Sequence, residues 1–184
     1  MRVLGVPGSL RRASYNRQLL RAAAQLLPPG AELVEFDALK AIPPFDEDDE
    51  ASAAPAVGVW RDAIDDADAL LFATPEYNSS VPGQLKNAVD WASRPIETAV
   101  LRNKPVAVIG ASTSAFGAVW SQAELRKALA AAGARVVDGE VAVGHAPTRF
   151  DAKGRLVDER VLEQLHEVVE TLVAETRLRA GAAA

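Results

Sequence analysis

Two kinds of apolar run alternate along the chain. Short dense runs at Arg2 to Val6, Ala31 to Phe36, Ala69 to Ala73 and Pro105 to Gly110 have the length of strands. The third, Ala69-Leu70-Leu71-Phe72-Ala73, is apolar throughout, the pattern of a parallel strand covered on both faces. Between these runs, apolar residues recur at helical spacing. Leu19, Leu20, Ala23, Ala24 and Leu27 predict a helix over Asn16 to Leu27, which Pro28-Pro29-Gly30 stops. Further helices are predicted over Val57 to Ala67, over Gly83 to Ala92, and up to Ala132-Gly133. Ala134 to Val137 and Val141 to Val143 read as a last strand or a bulged pair. A long closing helix is predicted from Leu156 to Arg179, with residues 180–184 as a frayed tail. A Pro-, Asp- and Glu-rich loop fills Asp37 to Pro55.

A steady alternation of strand and helix implies an α/β fold: a parallel sheet with helices on both faces. Neither a repeat nor a linker divides it, so residues 1–184 are expected to form a single domain. In an open sheet of this kind, ligands sit beyond the carboxyl ends of the strands. Long polar turns follow strands one, three and four, and they are expected to meet in one cleft.

The first turn, Gly8-Ser9-Leu10-Arg11-Arg12-Ala13-Ser14-Tyr15-Asn16, combines hydroxyls, an amide and two guanidinium groups with the free N–H groups of a helix start. A helix N-terminus favours an anion, and arginine adds forked, charge-assisted donors. Neither the dinucleotide glycine fingerprint nor a Gly-Lys-Ser/Thr phosphate loop is present, so a single phosphate monoester fits better than a dinucleotide or a triphosphate. The alternative is an ordinary helix cap at Ser14 with solvated arginines.

The second turn runs Thr74-Pro75-Glu76-Tyr77-Asn78-Ser79-Ser80-Val81-Pro82-Gly83. Its prolines stiffen it, Pro82 suits the first position of a helix, and Tyr77 offers a flat face. Backbone N–H groups from Glu76 to Ser79 need partners, which a planar heterocycle rich in acceptors can supply; a rigid connecting loop is the alternative. The third turn, Ser112-Thr113-Ser114-Ala115-Phe116-Gly117, is built of small hydroxyl residues that admit close backbone approach, with Phe116 placed to cover a ligand edge.

Composition narrows the chemistry. The 184 residues are 49% apolar and 24% charged, and the absence of cysteine excludes disulfides, thiolate catalysis and thiolate metal sites. A net charge of −5 argues against nucleic acid or anionic lipid as partners. No leader or membrane-spanning run is apparent, so the expected compartment is the cytoplasm. His145 and His166 lack metal-ligand spacing, and Asp46-Glu47-Asp48-Asp49-Glu50 lacks the spaced ligands of a calcium loop. No metal is expected. Lys86 and Asp90, four apart, read as a surface ion pair or as an intersubunit contact, and Trp91 and Trp120 as core or interface.

Taken together, Gly8 to Asn16 and Pro75-Glu76-Tyr77-Asn78-Ser79-Ser80-Val81-Pro82-Gly83-Gln84-Leu85-Lys86-Asn87-Ala88-Val89-Asp90-Trp91 resemble the NADPH-dependent FMN reductase family, as does Phe150 to Glu159. The resemblance implies a flavodoxin-like fold with a five-stranded parallel sheet in the order 2-1-3-4-5. It implies FMN, with the phosphate on Ser9, Arg11, Ser14, Tyr15 and Asn16. The ring would lie against Pro75, Glu76, Tyr77, Asn78 and Ser79, with Ser112, Ser114 and Phe116 near its other edge. The family often has paired glycines where this chain has Phe116-Gly117. The resemblance further implies NADPH or NADH as co-substrate, a small-molecule electron acceptor such as a quinone or flavin, and a homodimer or homotetramer. No catalytic side chain is expected, since a flavin carries the redox chemistry itself. A flavodoxin-like FMN carrier that does not oxidise nicotinamide, and a flavin-free binding protein on the same fold, are the competing readings.

Overall fold

The computed structural model describes residues 1–182. Its centre is three parallel strands buried almost throughout: β1 (Arg2–Pro7), β3 (Ala69–Thr74) and β4 (Pro105–Ala111). The half-buried edge strand β2 (Glu32–Glu35) pairs with β1. The sheet order is β2-β1-β3-β4-β5, and every pairing is parallel, as the alternation of runs implied. The fifth position is split. β5 (Arg135–Val136) pairs with the start of β4, and β6 (Ala142–Val143) pairs with its end. Arg126 spans this break: its guanidinium donates to the carbonyl oxygens of Val108 and Gly139, which the interrupted ladder leaves free.

Helices cover both faces. α1 (Tyr15–Gln25) and α5 (Glu159–Ala182) bury Leu19, Leu20, Leu165, Val169 and Leu172 against one side of the sheet. On the other side α2 (Pro55–Asp65), α3 (Gly83–Ala92) and α4 (Val119–Ala131) bury Trp60, Ile64, Leu85, Val89, Leu125 and Leu129. Among the described residues no helix is long and apolar enough to cross a membrane.

Several boundaries differ from the sequence pattern for local reasons. Leu156 lies in a short antiparallel bridge with Phe150 instead of opening the last helix. α5 begins after Asp158, whose carboxylate accepts from the Val161 N–H at 3.0 Å as an N-cap. It continues through residues 180–182, expected as part of a frayed tail; residues 183 and 184 lie outside the described residues. Pro82 is the residue before α3, not its first.

The Asp37 to Pro55 segment is held by one polar row on α3. Gln84 donates to the carbonyls of Leu39 and Ile42 at 2.7 and 2.8 Å. Asn87 donates to Pro43 and accepts from the Phe45 N–H. Trp91, fully buried, donates its indole N–H to Pro43 at 2.9 Å, which settles it as a core residue. Lys86 and Asp90 pair with each other at 2.7 Å on the exposed side of the same helix.

Lys104, just before β4, is buried, and its ammonium donates to the carbonyls of Ala67 at 2.6 Å and Asp65 at 3.2 Å. It closes the end of α2, where carbonyls lack helical partners. Burial, aided by Arg179, holds its pKa below the usual lysine value. Lys104→Met is expected to lower unfolding stability by about 1–3 kcal/mol, the cost of leaving buried carbonyls unpaired. A urea midpoint equal to the parent's would refute this role.

Candidate functional site

The turns after β1, β3 and β4 converge at the carboxyl edge of the sheet. Ser9, Arg11, Ser14, Tyr15 and Asn16 of the first line a cleft together with Pro75, Glu76 and Tyr77 of the second and Ala111, Ser112 and Thr113 of the third. The cleft is small, about 90 Å³, and partly open to solvent. That suits one small polar group, with anything larger lying along the open face. Asn78, Ser79, Ser114 and Phe116 lie outside this lining.

In the first turn Ser14 is the N-cap of α1, accepting from the Arg17 N–H at 3.3 Å. Its hydroxyl proton and that of the buried Ser9 remain able to donate, because each oxygen accepts from the backbone. The Tyr15 and Asn16 amides belong to the first turn of the helix and have no intrahelical acceptor. No acidic residue occupies that turn, and among the described residues Arg11 has no carboxylate partner. Hydroxyls, helix amides and a guanidinium around a small, partly open cleft make a cradle suited to a phosphate group.

The Asn16 side chain is committed elsewhere. Buried, it donates to the Ala111 carbonyl and accepts from the Ala111 N–H, both at 2.9 Å. It therefore joins the first turn to the third, and what Asn16 offers the cleft is its backbone N–H.

The second turn is a tight two-residue reversal. Asn78 and Ser79 take left-handed φ angles of 53° and 58°, and Tyr77 and Ser80 exchange backbone hydrogen bonds at 3.2 and 3.1 Å. The Tyr77 N–H is thus spent, whereas the Glu76, Asn78 and Ser79 amides have no protein acceptor among the described residues. The Glu76 carboxylate accepts from the Trp120 and Ser121 amides at 3.1 and 3.2 Å. α4 starts after Ala118, which has no capping side chain of its own, and Glu76 caps it from across the cleft edge. The sequence signal for this is the missing Ser, Thr, Asp or Asn before Val119.

The third turn is fixed from behind. His145 and Ala146 donate to the Ser114 and Ser112 carbonyls at 2.8 and 3.0 Å, and Ser112 donates to Val143 at 3.0 Å. Two glycines permit the crossing: a Cβ on Gly144 would sit 2.1 Å from the Ala115 oxygen, and one on Gly117 2.4 Å from the Ala142 carbonyl carbon. The left-handed pair here is Gly117 and Ala118, φ 61° and 65°, one residue later than Phe116-Gly117. Phe116 is therefore not at a position that calls for glycine. It stands 60% exposed and packs edge-on against Trp120.

A larger hollow of about 470 Å³ lies between the last turns of α3 and α4, beside Lys86, Asp90, Arg94 and Arg102. Helix ends of that polarity present carbonyls, so it offers no amide cradle for phosphate.

A doubly wound sheet with a phosphate cradle at its carboxyl edge defines a nucleotide-binding class of protein. Comparison with known proteins narrows it. The model of the NADPH-dependent FMN reductase family matches residues 1–148. The chain is 44% identical over 174 residues to an NAD(P)H-dependent FMN reductase of Pseudomonas aeruginosa, covering 94% of this chain and 93% of that one. It is 37% identical to a 2-hydroxy-1,4-benzoquinone reductase of a Burkholderia species, covering 97% and 98%. Its fold superposes on the flavoenzyme NAD(P)H:(acceptor) oxidoreductase FerB of Paracoccus denitrificans with a TM-score of 0.83 at 32% identity, covering 96% and 97%. This chain belongs to the NADPH-dependent FMN reductase family. It is accordingly an oxidoreductase that works with FMN and a reduced nicotinamide.

Asn16→Ala removes both bonds to Ala111 and leaves a buried amide and carbonyl unpaired. It is expected to cost about 2 kcal/mol of stability, read as a lower urea midpoint at unchanged slope.

Proposed function

We propose that this chain is an NAD(P)H-dependent reductase of quinones or similar small acceptors, with FMN held at the three-turn cleft. The observation that carries this reading is the convergence of a phosphate cradle, free turn amides and an exposed aromatic face at one sheet edge. Bound there, FMN would supply the redox chemistry, taking hydride from the nicotinamide and passing electrons to the acceptor.

The chain's own residues bind and orient. The Ser9 and Ser14 hydroxyls and the Tyr15 and Asn16 amides donate to the phosphate, and Arg11 neutralises it. The Glu76, Asn78 and Ser79 amides would donate to the pyrimidine edge of the ring, where negative charge accumulates on reduction. Pro75 and Tyr77 would hold the ring, with Ser112 and Ser114 toward its other edge. No side chain acts as nucleophile or proton donor in this reading. One open face serves both substrates, so they bind in turn and the kinetics are ping-pong. Double-reciprocal plots for NADPH at several quinone concentrations are expected to run parallel; intersecting lines would refute the ping-pong cycle. Bleaching of the bound flavin's visible band by NADPH is the direct test of the reductase reading, and a protein that binds FMN without bleaching would be a carrier instead.

Arg11→Ala is expected to weaken FMN binding by about 1.5–3 kcal/mol, the worth of a hydrogen bond to a charged group. Arg12, exposed and outside the cleft lining, is the control, and Arg12→Ala should leave the FMN dissociation constant within about twofold of the parent's. Equal effects from the two variants would remove Arg11's assignment.

A further inference from the structure

The chain's three tryptophans differ sharply in environment. Trp60 and Trp91 are 0% and 1% exposed, and each donates its indole N–H to a backbone carbonyl. Trp120 is 46% exposed, and its indole N–H has no acceptor among the described residues. Phe116 stands beside it at a centroid distance of 5.0 Å and an interplanar angle of 61°. Two large rings left open to water in this geometry form an angled shelf.

Both rings stand on fixed backbone. The Trp120 backbone N–H is held by Glu76, which itself lines the cleft, so the start of α4 that carries the indole is tied to the second turn. Phe116 sits between Ala115, which meets Gly144 backbone to backbone, and Gly117, which meets Ala142 in the same way. Little conformational freedom remains to be lost when something flat docks there. A planar ring can stack on one aromatic face while its edge meets the other. The free indole N–H can donate to a carbonyl oxygen on that ring.

We propose that Phe116 and Trp120, on the backbone tied to the second turn, form a preorganised ledge that receives planar, carbonyl-bearing aromatic acceptors and sets acceptor specificity. This inference rests on the reductase reading above.

The test uses FMN-loaded parent protein with Trp120→Ala, Trp120→Phe and Phe116→Leu. Calorimetry gives dissociation constants for 2-naphthol, flat and redox-inert, and for its saturated counterpart decahydro-2-naphthol. Loss of one aromatic contact is expected to weaken 2-naphthol about 3- to 10-fold in Trp120→Ala. Trp120→Phe should recover most of that loss, Phe116→Leu should show part of it, and decahydro-2-naphthol should not discriminate. In turnover, the ratio of the KM for menadione to that for ferricyanide should rise by a similar factor in Trp120→Ala. Unchanged naphthol affinity in both the Trp120→Ala and Phe116→Leu variants would overturn the proposal. So would sedimentation velocity showing that Trp120→Ala dissociates an oligomer of the parent, because the ledge would then be covered by a second copy of the chain. Failure of the reductase reading is separate: the parent would oxidise no NADPH, and the naphthol measurements would still decide whether the ledge binds a flat ring.

Discussion

The Asn16 carboxamide is the interaction on which the cleft depends. β1 and β4 are not neighbours; β3 lies between them, so the sheet alone does not fix the distance between the turns they feed. Asn16 closes that gap by pairing both faces of its amide with the backbone of Ala111, 95 residues away in sequence. A hydrophobic contact at this place could slide, but a two-bond amide bridge holds one register. Because the bridge is buried, breaking it leaves unpaired polar groups instead of water-solvated ones, which raises the cost of opening the cleft.

The other turns are tied by the same kind of device. Glu76 ties the second turn to the start of α4, and the hydroxyl of Thr74 at the end of β3 lies 2.8 Å from that of Ser121 in the same helix. The third turn is tied to the segment after β6 by hydrogen bonds and by two glycine crossings. Polar groups that seem free in the sequence are thus divided. Some side chains and amides hold the scaffold, and the remainder face the cleft without protein partners. The cradle is the remainder: two hydroxyl protons, the helix amides and Arg11. A binding site assembled from what the scaffold leaves over is already oriented before ligand arrives, which saves the entropy of ordering it.

Much of this was legible in the sequence. Unbroken apolar runs gave β1, β3 and β4 within a residue or two, since a strand buried on both faces has no polar position to blur it. α3 was read to the residue from its apolar spacing, although Pro82 precedes the helix instead of opening it. The resemblance of two turns to one family was carried by consecutive residues and needed no tertiary knowledge. What stayed hidden were side chains whose partners are distant in sequence. Nothing near Asn16 signals Ala111, and nothing near Glu76 signals Trp120. Likewise Gln84, Asn87 and Trp91 look like part of a binding motif, yet their bonds run to the Leu39 to Phe45 segment. The split fifth strand was ambiguous because a two-residue strand has no period to read, and its repair by Arg126 is again a long-range bond.

These ties also determine how the site responds to change. The third turn is fixed from behind, by residues that do not line the cleft. Gly144 is the clearest case. A Cβ on it would collide with the Ala115 carbonyl, so any side chain there must push the third turn or its own segment aside. Such a displacement acts on the part of the third turn beyond Ala111, because the Asn16 bridge holds Ala111 itself to the first turn. The lining of the cleft is thus set in part by a segment beyond β6 that does not itself line it. A residue such as Gly144 therefore shapes the cleft without lining it.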